Sequence, residues 1–572
     1  MERVGRLSRN TAALVGARVV TSGLTFILAI IINRNLGPEK AGIYTYAFSL
    51  YTIFQVIPDF GLGNISIRDA SQDDSRLPRY FSNVASLRFL LGMAAFALLM
   101  VTNVASLALQ GGGELAGEKF WVVFTVAFCL LIEQPFSNSL CENFIALERL
   151  GTVALVYLIM GMMKVGMSVY VVVAGLPGVL VYLVLIYIIT ILYSIFHLYI
   201  AYRRVLRGKG RERAGIDEMA VAEAVTHVPE VSGEAAGEAL LADCSYAELA
   251  EGEGAQALEE KGEEGGGGPV SPPEEDPSSV FRLGPFTMDR PLWRYLLTSA
   301  WPLAVVAAGV TVYAGIDIPI LSWLRGDTEV GLYSAAGMFA KAFVFLTLAL
   351  NMAVLPAVSK VGGKHPERLG KLWERLIYYA WMLVVPLAVV VPVLARPVLV
   401  LQKHEFITAW HATWMTMGAM CFTFMTAVSF PFFVVIDRQK TVTAVVLIGL
   451  PFKAAVGALA ISLWGYTGAA LAVLLSEAVV FLLLSRRLAR ALDHRVHLPD
   501  FAGPPVVILG ALYAAAFLLH RVLVAGKDTF IAATQYAFIS AAVLTMLYLA
   551  LAFGGRALSR SGLRELNEWL TV

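Results

Sequence analysis

Residues 9–50 read RNTAALVGARVVTSGLTFILAIIINRNLGPEKAGIYTYAFSL. From Thr11 to Asn33 the run is apolar over about the 20 residues that a helix needs to cross a bilayer. The polar stretch RNLGPEK, residues 34–40, interrupts it, and a second apolar run begins at Ala41. Runs of this length recur along all 572 residues. Apolar residues make up 58% of the chain and charged residues 15%, with a mean hydropathy of +0.70. Soluble domains average about 45–50% apolar and about 25% charged. The expected fold class is therefore an all-α integral membrane protein. The basic start, MERVGRLSRN, leads into a full-length span and not into the short apolar segment of a removable signal peptide.

Fourteen spans are expected, near 11–33, 41–63, 80–103, 119–140, 152–174, 178–202, 293–323, 329–355, 372–395, 407–436, 441–463, 466–485, 503–524 and 529–553. Lys and Arg orient them, because cytoplasmic loops carry the excess of positive charge. With the N-terminus inside, the inner loops hold 27 Lys and Arg and the outer loops 8, leaving out the long insert. The expected location is a cell membrane, multi-pass, with both termini cytoplasmic.

Residues 205–290 break the pattern. Between Ala214 and Val280 stand seventeen acidic residues and one basic residue, Lys261. Low hydrophobicity with high net charge drives no packed core, so a disordered acidic cytoplasmic linker is expected there. The halves it separates resemble one another. LGPEKAGIY at 36–44 matches RGDTEVGLY at 325–333, so Gly37, Gly42 and Tyr44 fall on Gly326, Gly331 and Tyr333 at an offset of 289. The same offset carries Arg149 onto Arg438, Thr152 onto Thr441 and Lys164 onto Lys453. A repeat of six spans restarts on the same side of the membrane, so the halves are parallel lobes, an arrangement that transporters use with the substrate between the lobes. The expected divisions are 1–204 for the first lobe, 205–290 for the linker, 291–490 for the second lobe, 499–555 for an appended helix pair and 556–572 for a tail.

Ionisable residues inside spans are costly and face a bundle interior or a watery cavity. The basic ones are Arg18, Arg88, Lys164, Lys341 and Lys453; the acidic ones are Asp59, Glu133, Asp317 and Glu477. Polar neighbours extend them into stripes, such as Tyr157, Gly161, Lys164 and Ser168, and Tyr333, Gly337 and Lys341. The five cations are candidates for holding an anionic group. The four carboxylates are candidates for coupling to Na⁺ or a proton. Asp317, two residues before Pro319, leads that set, because a kink there frees carbonyls. The competing reading is that the charges pair with one another and hold helices together.

Net charge is +1, so no nucleic-acid partner is implied. Cys129, Cys141, Cys244 and Cys421 have no paired spacing and are expected to be isolated thiols. There is no G-x-x-x-x-G-K-[ST], H-E-x-x-H or G-x-S-x-G motif. No catalytic residue, no metal site and no cofactor beyond a coupling ion are expected, and the protein is expected not to be an enzyme. His404 and His411 are expected to be separate surface residues.

The opening RNTAALVGARVVTSGLTFILAIIINRNLGPEKAGIYTYAFSL and the following DFGLGNISIRDAS resemble the polysaccharide-export flippases of the MATE-like superfamily, the group containing O-antigen (Wzx-type) and lipid II (MurJ-type) flippases. The span count, two six-span lobes plus a terminal pair, agrees over essentially the whole chain. The acidic linker departs from the usual short connection between lobes. The resemblance implies a two-lobe cavity that binds an isoprenoid-diphosphate-linked oligosaccharide and carries it from the cytoplasmic to the outer leaflet. It puts a cationic residue at Arg18. The implied partners are that lipid-linked substrate, membrane lipid and polysaccharide assembly machinery. The alternatives are a peptidoglycan-precursor flippase of the lipid II or sporulation type, a MATE-type ion-coupled drug exporter, a membrane glycan polymerase or ligase, and a scaffold.

Overall fold

The structure is a computed structural model that describes residues 2–72, 76–109, 116–147, 150–175, 179–223, 280–283, 286–494, 511–512, 514–516 and 530–554. Along the first helix, side chains are described from residue 20. It is an all-α membrane protein, and the expected spans appear as helices, several running on across a kink. In the first lobe these are α1 (Glu2–Phe54), α2 (Val56–Asp59), α3 (Leu62–Gln72), α4 (Leu77–Leu109), α5 (Ala116–Ala127), α6 (Cys129–Ile132), α7 (Ser139–Ala146), α8 (Leu150–Ala174) and α9 (Val179–Glu223). The second lobe holds α10 (Arg290–Gly315), α11 (Asp317–Arg325), α12 (Asp327–Lys341), α13 (Val344–Lys364), α14 (Leu369–Gln402), α15 (Trp410–Val435) and α16 (Gln439–Ala491). The fourteenth span is α17 (Phe530–Gly554). Most of the thirteenth lies outside the described residues, as do Cys244 and the 556–572 tail. Among the described residues, nine helices are long and apolar enough to cross a membrane when helices continuous across a kink count once.

The repeat is visible in the backbone. Gly37 turns the chain between the first two spans at φ 78°, ψ 175°. Gly326, 289 residues on, does the same between α11 and α12 at φ 88°, ψ 178°. Glycine takes positive φ without a Cβ clash, and both turns need it. Gly465 breaks α16 at a different place in the lobe, between the eleventh and twelfth spans, at φ 58°.

Each lobe packs its own core. Tyr46, Leu50, Val122, Val126, Leu180 and Val184 centre the first. Trp373, Phe424, Phe432 and Leu484 centre the second. The appended helix α17 lies on α14, where Leu544 and Tyr548 meet Met382 and Val389 and the Tyr548 hydroxyl donates to the Met382 carbonyl at 2.5 Å. Large apolar side chains such as Val101, Tyr170, Val173 and Met546 stand exposed. In a bilayer lipid covers them.

The stretch expected as linker is ordered at both ends. Helix α9 runs on to Glu223; ERAGIDEMAVAE holds no proline, and its Ala, Glu and Met favour helix enough to carry Gly215. Residues 280–283 and 286–289 form an antiparallel hairpin, β1 and β2, pairing Val280 with Asp289. Asp289 is buried, caps α10 by accepting from the Leu292 amide, and takes two bonds from Arg79 at 2.5 and 3.0 Å. The acidic residues 224–279 lie outside the described residues.

Candidate functional site

In the first lobe Pro135 has no amide hydrogen to donate, and residues Glu133–Asn138 widen into a π-turn. Glu133 opens that turn. It accepts from the hydroxyls of Tyr51 and Tyr187, the latter at 2.9 Å. The Lys164 ammonium sits 4.5 Å from the centre of the Tyr187 ring and 5.7 Å from that of Phe48. It feels the charge of Glu133, yet among the described residues it has neither a hydrogen bond nor an ion pair within 4.0 Å. Its residue is half-buried.

The second lobe treats the repeat-equivalent lysine differently. Lys453 is 4% exposed. Its ammonium donates to the Tyr313 carbonyl at 2.6 Å, lies 3.6 Å from Asp317 Oδ1 and covers the Tyr313 ring at 4.6 Å. Tyr333 donates to the other Asp317 oxygen, Oδ2. Glu477 accepts from Thr423 at 3.0 Å and faces the same lysine. The expected kink is present, since Pro319 leaves the Gly315 carbonyl without a helical donor, and α10 ends there. That carbonyl accepts from Ser49 of the first lobe at 3.3 Å.

Arg88 is fully buried. Its guanidinium grips Glu142 with two parallel bonds of 2.7 Å and reaches Ser139 at 2.8 Å and Asp59 at 3.1 Å. The cation expected to face a cavity is thus engaged inside its own lobe, and Asp59 with it. Lys341 is the opposite case. It ends α12, is exposed, and has no hydrogen bond or ion pair within 4.0 Å among the described residues; the charge of Asp317 acts on it from a distance. The side chain of Arg18 lies outside the described ones.

Packing sets the depth of the two unpaired lysines. A Cβ on Gly161 of α8 would lie 3.4 Å from Thr21 of α1, and Phe26 of α1 meets Phe339 of α12 with ring centres 5.6 Å apart. Spans one and five run the same way, and span eight runs the other way. Lys164 lies three residues past Gly161 and Lys341 two past Phe339. At about 1.5 Å per residue both stand level with Leu24, one from each lobe, beside α1.

The lobes touch at both ends of the bundle. At the Gly37 end the contact is pseudo-symmetric. A Cβ on Gly42 would overlap the Asp327 carbonyl oxygen, and one on Gly331 would overlap that of Pro38. Beside it Lys119, 2% exposed, bonds Asp327 at 2.8 and 2.9 Å and Ser322 at 3.0 Å, over the ring of Tyr46. Asn33 donates to Gln402 at 2.9 Å. At the other end Leu62, Ile65 and Leu87 pack against Leu296 and Leu303, and Asp69 accepts from Tyr295 at 3.0 Å and Tyr80 at 2.9 Å.

The family model described as "Polysaccharide biosynthesis protein" matches residues 7–219 and 280–361, just over half of the chain. The chain belongs to this family. The two matched blocks stop and restart around the acidic insert, so the insert is an addition to a family framework. A comparison with curated proteins returns no match. Among solved structures the protein is similar to a lipid II flippase, MurJ, in an inward closed conformation, with a TM-score of 0.60 at 10% identity over 96% of this chain and 99% of that one. It is also similar to an inward-facing multidrug resistance transporter of the MATE family, with a TM-score of 0.56 at 12% identity over 83% of this chain and 96% of that one. The shared property is the fold.

Within this polysaccharide biosynthesis family member, the structure brings Glu133 to Lys164, and Asp317 and Glu477 to Lys453. It separates Arg88 and Asp59 from both. Sequence reading missed Glu142, Tyr187 and the Lys119–Asp327 pair. Glu142 lies two residues past the expected end of the fourth span, and counting it inside would have matched Arg88 with an acid. The three thiols described, Cys129, Cys141 and Cys421, are buried and unbridged. Among the described residues no His, Cys, Asp and Glu cluster has metal-holding geometry.

Proposed function

We propose that this protein flips an isoprenoid-diphosphate-linked oligosaccharide from the cytoplasmic to the outer leaflet for polysaccharide biosynthesis, by alternating access between its two lobes. The observation that carries the reading is the pair Lys164 and Lys341. Each comes from a different lobe, neither has a hydrogen-bonded partner among the described residues, and they stand at one depth. A diphosphate carries at least two negative charges, and Coulomb attraction grows as water is excluded. An anion between the lysines would draw the lobes together around it. Arg18 joins them as a third candidate from the sequence. Arg88 and Lys453 are left out, because carboxylates inside their own lobes already hold them. A drug exporter of the MATE type, binding organic cations, needs accessible carboxylates. Here Glu133, Asp317, Glu142 and Glu477 accept hydrogen bonds from their own lobes. The Lys and Arg bias supports cytoplasmic termini and hence inward loading of the substrate.

The test is transfer of a fluorescent isoprenoid-diphosphate sugar across proteoliposomes. Lys164→Glu and Lys341→Glu should each cut the rate by at least about tenfold, the loss of roughly 1.4 kcal/mol or more of binding. Arg at either position should retain part of it, since charge is kept while geometry changes. Recovery of full rate by combining Lys164→Glu with Glu133→Lys would assign Lys164 to internal pairing and overturn the reading.

A further inference from the structure

The second lobe contains the donor set of a cation site with a lysine inside it. Two oxygens face Lys453 Nζ: the Tyr313 carbonyl at 2.6 Å and Asp317 Oδ1 at 3.6 Å. Asp317 Oδ1 is buried and has no hydrogen-bond donor among the described residues, while Oδ2 is taken by Tyr333. Glu477, held by Thr423, adds a second carboxylate whose charge acts on the ammonium. Carboxylates and a backbone carbonyl at a broken helix are the ligands that hard monovalent and divalent cations select. The break sits at Ile316, between α10 and α11, where the Tyr313 carbonyl is left to the lysine.

We propose that Lys453 is the resident cation of this site, standing where a monovalent metal ion such as Na⁺ would otherwise bind, so that the protein works without Na⁺. The ammonium is a compact point charge with three donors. Tethered to α16, it cannot dissociate, and it neutralises Asp317 permanently at a depth where an unpaired carboxylate would be costly. Glu477 is the other charged group acting on Asp317 and Lys453 among the described residues of this lobe's core, so the ammonium sits between two carboxylates. The first lobe supplies an internal control. There Lys164 occupies the repeat-equivalent position, but tyrosine hydroxyls take both oxygens of Glu133 and, among the described residues, no carbonyl is bonded to the lysine. The first lobe therefore offers a metal ion nothing to replace.

The proposal bears on the coupling step of the flippase reading, and its test uses binding alone, so either can fail without the other. Purified protein is heated in NaCl and in choline chloride at equal ionic strength. Wild type should show no Na⁺-specific change in Tm. Lys453→Met keeps the stem and vacates the ammonium position; it should gain a saturable, Na⁺-specific upward shift. Lys453→Met with Asp317→Asn should lose that shift, and Lys164→Met should never acquire it. If Lys453→Met aggregates during purification, NaCl should restore a monodisperse protein where choline chloride does not. A Na⁺-specific shift already present in wild type would overturn the proposal. So would a Lys453→Met protein that neither binds Na⁺ nor is rescued by it.

Discussion

Lys164 and Lys453 are the same residue of a repeat, and their surroundings have nothing in common beyond an acid and a tyrosine. Lys453 is sealed, with a carbonyl at 2.6 Å and a carboxylate at 3.6 Å. Lys164 hangs over aromatic faces, while tyrosines satisfy the nearby carboxylate. The acids are not repeat-equivalent either: Glu133 comes from the fourth span and Asp317 from the seventh. The repeat thus preserved a cation at one depth and lost its symmetry in the counter-charges. Lys453 is part of the packing of its lobe, whereas the donors of Lys164 meet only ring faces among the described residues.

The sharpest break of this comparison is the stability of the two lysine truncations. Lys453→Met strands Asp317 in the interior, and removing one partner of a buried pair costs about 3–5 kcal/mol. Lys164→Met leaves Glu133 still bonded to two tyrosines, so the cost should stay near 1 kcal/mol, within the ordinary range for a point substitution. Measured in choline chloride, Tm should fall much further for Lys453→Met. Equal losses would mean that the lobes use their lysines alike.

The glycine contact tests where symmetry does survive. Gly42 and Gly331 each lie against the carbonyl of a repeat-equivalent residue, Asp327 and Pro38. Alanine at either position should wedge the Gly37 end open by about 1–3 kcal/mol, the usual cost of overpacking. Cysteine placed at Asn33 should then label several-fold faster, by the same factor in both variants. Unequal factors would show that the lobes do not meet as a matched pair at this end.

The smallest effect belongs to the segment that has no counterpart in either lobe. Removing residues 224–279 and joining α9 to β1 keeps the Arg79–Asp289 bonds, which tie the second lobe's entry to α4. The flipping rate should change by less than about twofold, because a chain with so little apolar surface stabilises no packed state. A large loss at normal membrane levels would make the acidic segment part of the working machine.

Hydropathy and one offset located the described helices and the glycine turns that join them. The apolar runs located the helices because lipid leaves a backbone no other way to satisfy its hydrogen bonds. The offset of 289 paired Gly37 with Gly326 and Lys164 with Lys453, because turn glycines and cations inside spans are rare enough to register a repeat. The kink at Pro319 was also legible, since a missing amide hydrogen is a property of the residue itself. Which charge meets which was not. Arg88 and Glu142 lie on different helices 54 positions apart, and Lys119 and Asp327 on different lobes. Their meeting depends on how each helix is rotated and raised against its neighbours, and small residues, close packing and hydrogen bonds across helices set that. Sequence periodicity reports the face a residue occupies on its own helix; only the assembled bundle decides what lies opposite that face.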